Sequence, residues 1–199
     1  MSRSAVERKR ATRERILAAA ESVIKDRGPH AATVEAVMRE AGLTVGGFYA
    51  HFESKEALAR EALIAGVERS FASLTEGLDE ASPHAFAAEL IRRYLVQLDS
   101  PTLAGACPLT VLLPEVARGD AALREAFTAR TGALVASIEA RLPVVEGMAA
   151  RDVALAMFAA LVGAVAMARA SATARGRRRI AAATEASLTR FLGLDARAT

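Results

Sequence analysis

The chain has 199 residues, enough to bury a real core in one domain or two small ones; apolar residues make up 52% of it, aromatics only 5%, and tryptophan is absent, which argues against a strand-rich fold and for helices. A single cysteine, Cys107, excludes an internal disulfide framework, and the polar first 15 residues do not resemble a secretory signal, so a cytoplasmic location is expected. The net charge of +3 lies entirely in residues 1–60, with 11 Lys/Arg against 8 Asp/Glu, whereas residues 61–199 hold 15 of each; the N-terminal part is therefore the part expected to attract a polyanion.

Arg3, Arg8, Lys9, Arg10, Arg13 and Arg15 make Met1 to Arg15 a basic arm. Ile16, Ala20, Val23 and Ile24 then recur at helical spacing and predict a first helix ending at "DRGPH", where Gly28 can cap and Pro29 cannot continue. Thr33 is placed to cap a short second helix whose apolar set is Val34, Val37, Met38 and Ala41, and Gly42 supplies a left-handed residue to end it. Thr44 is the expected N-cap of a third helix of about eight residues, with Phe48 and Phe52 facing inward. This third element holds Gly46 and Gly47 side by side, although a glycine inside a helix is worse than alanine by about 1 kcal/mol.

Ser54 caps a long fourth helix whose stripe, Leu63, Val67, Phe71, Leu74 and Leu78, continues to about residue 80. Ser82-Pro83 opens a fifth with Phe86, Leu90 and Tyr94 on one face, broken by "DSPTLAGA". Pro108 starts a sixth helix, which Pro114 should kink and Gly119 end, and Asp120 caps a seventh running to Arg141. The last two helices cover roughly 148–172 and 178–192, and "RGRRR" at 175–179 is expected to be a solvated loop between them. The run Val153 to Ala168 is apolar on nearly every face but is 16 residues long, short of the roughly 20 that span a bilayer; burial on both sides, in a pair of self-associating C-terminal helices, is the expectation, and no membrane.

A short helix, a glycine turn and a second short helix make a helix-turn-helix, whose second helix enters the DNA major groove. The stretch "TVEAVMREAGLTVGGFYAHFESKEAL" closely resembles the DNA-binding region of TetR-family transcriptional regulators, through Thr33, Val37, Ala41-Gly42, Thr44, Phe48-Tyr49, His51-Phe52 and Ser54-Lys55-Glu56, over about residues 12–60. The resemblance implies an all-α fold of about nine helices: an N-terminal three-helix domain with helix-turn-helix, 1–53, with its basic arm, and a C-terminal helical ligand-binding and dimerisation domain, 54–199. It implies phosphate contacts from Thr33, Thr44, Tyr49, His51 and Lys55, and places Val45, Gly46 and Gly47 at the base edges. Val37, Leu43, Phe48 and Phe52 are read as the small core that positions them.

"GACPLTVLLPEVARGDAALREAF" looks like a segment of one TetR subgroup. By resemblance the C-terminal helices enclose a small-molecule pocket, for which the candidates are Phe71, Leu74, Phe86, Leu90, Tyr94, Cys107, Leu112, Phe127 and Phe158; simple core packing accounts for each equally well. Cys107 precedes Pro108 at a helix start, which suits either a thiolate sensor of electrophiles and oxidants or inert packing. The implied function is a dimeric repressor released from a palindromic operator by an effector, with a regulator lacking an effector as the alternative. An enzyme is disfavoured: His30, His51 and His84 lack metal-ligand spacing, there is no phosphate-binding glycine motif, and no metal or cofactor is expected.

Overall fold

The computed structural model describes residues 3–27, 32–96, 98 and 108–197. Within them every regular element is a helix: α1 (Arg3–Arg27), α2 (Val34–Glu40), a 3₁₀ segment (Val45–Ala50), α3 (Lys55–Thr75), α4 (Pro83–Val96), α5 (Pro108–Arg118), α6 (Ala121–Glu139), α7 (Ala150–Ala170), α8 (Ala174–Phe191) and a C-terminal 3₁₀ turn (Leu194–Arg197). Local chemistry sets several of the ends. The Thr33 hydroxyl accepts from the Ala36 N–H at 3.2 Å, the Ser54 hydroxyl from Ala57 at 3.1 Å, and the Asp120 carboxylate from Leu123 at 2.7 Å. Gly42, at φ +65°, makes the left-handed turn after α2 that a side chain would strain.

Four expectations are corrected. The basic arm is not a separate extension, because its residues from Arg3 onward form the first turns of α1. The third helix is 3₁₀ rather than α, and six residues long; two adjacent glycines give little α-propensity, and the short run tightens to a three-residue bond from the Gly47 N–H to the Thr44 carbonyl. The fourth helix stops at Thr75, so Leu78 is buried beyond its end, past Gly77 at φ +71°. "RGRRR" is not a loop: Thr173 caps α8 by accepting from the Gly176 N–H at 3.0 Å, so the arginines lie in its first turns. Gly28, Pro29, "DSPTLAGA" from residue 99 on and Cys107 lie outside the described residues, as does the Leu112 side chain.

Two packing regions share α3. It lies on α1, where Arg13 pairs with Glu61 and Arg69 with Glu21, and it also packs on α4, α5 and α6. Between the two, Arg60 of α3 reaches Asp120, the cap of α6, at 3.7 Å. Helix α7 is long and apolar enough to cross a bilayer by length and composition, yet Val153, Met157, Leu161 and Val165 are buried and it packs on α4, α5, α6 and α8.

Candidate nucleic-acid interface and cleft

Phe48 is fully buried, and its ring stacks on Phe52 at 5.8 Å and meets Tyr49 edge-on at 5.1 Å. The guanidinium of Arg13 lies over the Phe52 ring, 4.6 Å from its centroid, so this member of the basic arm is spent on the core of the head. With Val37 and Met38 also buried, the 3₁₀ segment is anchored by one side. Its other side faces outward: Val45 is 43% exposed and Tyr49 72% exposed, large values for apolar and aromatic groups, and Gly46 is exposed between them.

The glycine pair is not required by this packing. Neither glycine has a positive φ; a Cβ at Gly46 would meet nothing within 4 Å, and one at Gly47 would touch only the Met38 methyl, at an ordinary 3.8 Å. Any reason for two missing side chains therefore lies outside the described fold.

The hydroxyls and charges around the segment differ in how far they are already committed. Thr33 is satisfied within α2, since it caps Ala36 and also bonds Glu35; Glu35 is held below its ordinary range first by its own backbone N–H and then by that hydroxyl. Glu56 is lowered likewise, by its own N–H and by Ser54, with Lys55 and Arg60 adding to the effect. Thr44, by contrast, has the extended backbone of an N-cap but makes no side-chain capping bond, so its exposed hydroxyl is available. Lys55 is exposed at the first position of α3. The His51 Nδ1 is buried without a hydrogen-bond partner among the described residues. On the arm, Arg8, Lys9 and Arg15 are exposed, while Arg10 pairs with Glu14 at 3.2 Å. The whole surface offers donors, cations and a bare backbone, which is what phosphates and base edges accept.

Separately, a small apolar cleft lies between α3 and the helices behind it; it encloses about 20 Å³, room for little more than a water molecule. Val67, Ser70, Phe71 and Leu74 line it at i, i+3, i+4, i+7 of α3. Leu90 and Tyr94 of α4 and Leu109 of α5 face them, and Leu134, Ile138, Phe158 and Leu161 of α6 and α7 form its floor. Five of the nine predicted pocket residues, Phe71, Leu74, Leu90, Tyr94 and Phe158, thus meet at one place. Phe86 does not line it: the ring is fully buried under the Arg141 guanidinium, 3.9 Å from its centroid, and Arg141 also bonds the Leu78 carbonyl. Phe127 is half-buried against the core elsewhere. Val67 and Ser70 were overlooked although the Phe71-Leu74 stripe passes through them; Leu109, Leu134, Ile138 and Leu161 carry no such local signal. Among the described residues no three His, Cys, Asp or Glu side chains gather as a metal site.

Comparison with known proteins bears on the head and the fold separately. Residues 16–62 match the family model described as bacterial regulatory proteins, tetR family. Over 68 residues the chain is 35% identical to the HTH-type transcriptional regulator UidR of Escherichia coli strain K12, an alignment that covers 34% of this chain and 35% of UidR; the match thus spans about a third of the length of the curated relatives. Across 92% of this chain and 97% of the other, it is similar to the crystal structure of a TetR transcriptional regulator from Chloroflexus aurantiacus, at 26% identity and TM-score 0.69. Reduced Escherichia coli NemR has the same fold at 21% identity and TM-score 0.79, covering 92% and 97% of the two chains. So does Bacillus subtilis FadR, whose structure is a complex with stearoyl-CoA, at 18% identity, 88% and 96% coverage and TM-score 0.69.

Proposed function

The chain belongs to the TetR family of DNA-binding transcriptional regulators, and from this we propose that it is a homodimeric repressor, released from a palindromic operator by a small-molecule effector. The observation that carries the reading is the 3₁₀ segment, with Phe48 and Phe52 locked inward while Val45, Gly46 and Tyr49 stand exposed. In the proposed complex this segment enters the major groove. Thr44, Tyr49, His51 and Lys55 hold phosphates, Thr33 contributes through the start of α2, and Val45 touches a thymine methyl. The absent side chains of Gly46 and Gly47 let the backbone approach the bases. With few side chains left for bidentate base contacts, specificity leans on Val45, the basic end of α1 and DNA shape.

Dimerisation uses α7 and α8. In support, Leu155 and Met167 of α7 are 45% and 64% exposed, and Ala156, Ala159 and Ala166 continue the same exposed apolar face. Ala182, Ala183 and Ala186 present small residues on α8. The division into 1–53 and 54–199 follows: the head reads DNA, and the rest dimerises and takes the effector in the cleft. That the similarly folded FadR was solved with stearoyl-CoA supports a ligand in such a bundle. The chain works in the cytoplasm, where its DNA is, and catalyses no reaction. Selection of bound sites from random duplex DNA tests the reading. A palindrome with half-sites about 34 to 36 Å apart is expected, with affinity falling steeply as salt rises; no enriched palindrome, or a flat salt dependence, overturns it.

A further inference from the structure

We infer that Arg175, Arg178 and Arg179 of α8 form a second DNA-binding surface, which takes the phosphate backbone between the two half-sites; this rests on the reading of the chain as a dimer joined through α7 and α8. The three residues recur at i, i+3 and i+4, so they share one face of the first turns of α8, and all three are exposed. None of them bonds or pairs with another described residue, whereas Arg60, Arg93, Arg130 and Arg151 of the same chain each hold a carboxylate. Arg177, between them, is half-buried and turns back to the Ser171 carbonyl at 3.5 Å. Helix α8 carries five arginines against one glutamate, although residues 61–199 as a whole are balanced, and that glutamate, Glu185, acts on Arg92 of α4. The helix start itself gives no reason for the arginines. Its amides are closed by Thr173, which accepts from the Gly176 N–H, and Arg175 stands against the dipole.

The course of the helices puts this face on the DNA side. Arg60 beside Asp120 brings the start of α6 to the start of α3, which follows the 3₁₀ segment of the head directly. Arg151 holds Glu139 at 3.3 Å, so α7 begins at the far end of α6 and runs back toward the head, and α8 starts three residues after α7 ends. Along α8 the arginine stripe continues into Ala182, Ala183 and Ala186, the exposed small residues assigned to the dimer seam. In a two-fold dimer whose heads face one duplex, the axis passes through the DNA between the half-sites, and an arginine face stands on each side of it. Those like charges repel one another; a duplex, with one phosphate charge per about 1.7 Å of its length, neutralises them. Guanidinium groups without a competing carboxylate take phosphate oxygens bidentately, and such contacts add affinity without reading sequence.

The test is titration of the full chain against its selected operator across a salt series of about 50 to 300 mM, with the dimer followed by sedimentation. Arg175→Gln, Arg178→Gln and Arg179→Gln combined should make the slope of log affinity against log salt less negative by about three and weaken operator binding about tenfold at low salt. The three matching changes to Lys, which keep the charge, should stay within about threefold of the unaltered chain. Methylphosphonate linkages, which remove phosphate charge, placed between the half-sites should weaken the unaltered chain and leave the glutamine variant unaffected. A glutamine variant that stays dimeric with an unchanged slope overturns the inference, as do central neutral linkages that weaken both proteins equally. Dissociation of the glutamine variant into monomers overturns it too, because removing like charges from either side of an axis does not loosen a dimer. An unaltered chain that selects no palindrome removes the dimeric repressor reading and this inference with it; a selected palindrome whose salt slope survives the glutamine changes removes this inference alone.

Discussion

The reading head, up to residue 53, and the bundle of α4–α8 leave opposite kinds of residue unexplained by packing. In the head these are small and exposed: Gly46 and Gly47 could each carry a methyl without an internal clash. In the bundle they are apolar and turned inward, around a small cleft of about 20 Å³. Packing within the described fold requires neither glycine's missing side chain, and in the proposed complex that bare backbone is what a polar surface could approach.

Two adjacent residues separate the inward and outward faces of the segment. Phe48→Ala empties the fully buried centre of the head and should cost about 3 to 5 kcal/mol in denaturant unfolding, with loss of DNA binding because the segment is no longer anchored. Tyr49→Ala, one residue on, removes a mostly exposed ring; stability should stay within about 0.5 kcal/mol while operator affinity falls about tenfold. If the two variants behaved alike, the division between inward and outward faces would be wrong.

Smaller effects probe the bundle. Asp120→Ala removes the α6 cap and should cost about 1 kcal/mol, most of it from the bond to Leu123 rather than from the 3.7 Å pair with Arg60. Arg175 is exposed in the first turn of α8, where the helix dipole opposes a cation. Arg175→Glu should raise stability by about 0.3 to 1 kcal/mol at low salt, and less at high salt. Smallest is Glu89, whose carboxyl is lowered from 4.5 to about 2 by hydrogen bonds from Arg92 and Arg93. Because its folded value lies below its unfolded one, its contribution is present above about pH 4.5 and is lost as pH falls toward 2. Glu89→Gln should therefore flatten stability across that window, by less than about 1 kcal/mol given the partial exposure of the pair, as read from unfolding midpoints at pH 6 and pH 3.

What could be read from the sequence was what local chemistry decides. Thr33, Ser54 and Asp120 cap as their spacing implies, Gly42 turns where it must, and the inward pair Phe48 and Phe52 follows from helical spacing. The 3₁₀ character of 45–50 depended on a balance between two glycines and two buried rings that periodicity does not weigh. "RGRRR" was misread because charge suggested a solvated loop, although arginine is a good helix former and Thr173 stood ready as a cap. Residues on the α3 stripe were within reach of sequence reasoning. Leu109, Leu134 and Leu161 were not, since five helices meet at the cleft from distant parts of the chain. Phe86 shows the limit from the other side: its spacing says that it points inward, but not that Arg141 covers it.

If the glycine pair serves a surface outside the protein, Gly46→Ala separates fold from DNA contact when unfolding and operator titration are measured on the same preparation. With open space at the new Cβ and no positive φ, the methyl should stabilise the fold by about 0.4 to 1 kcal/mol, while operator affinity drops tenfold or more. A stabilised variant with undiminished operator affinity would contradict the claim.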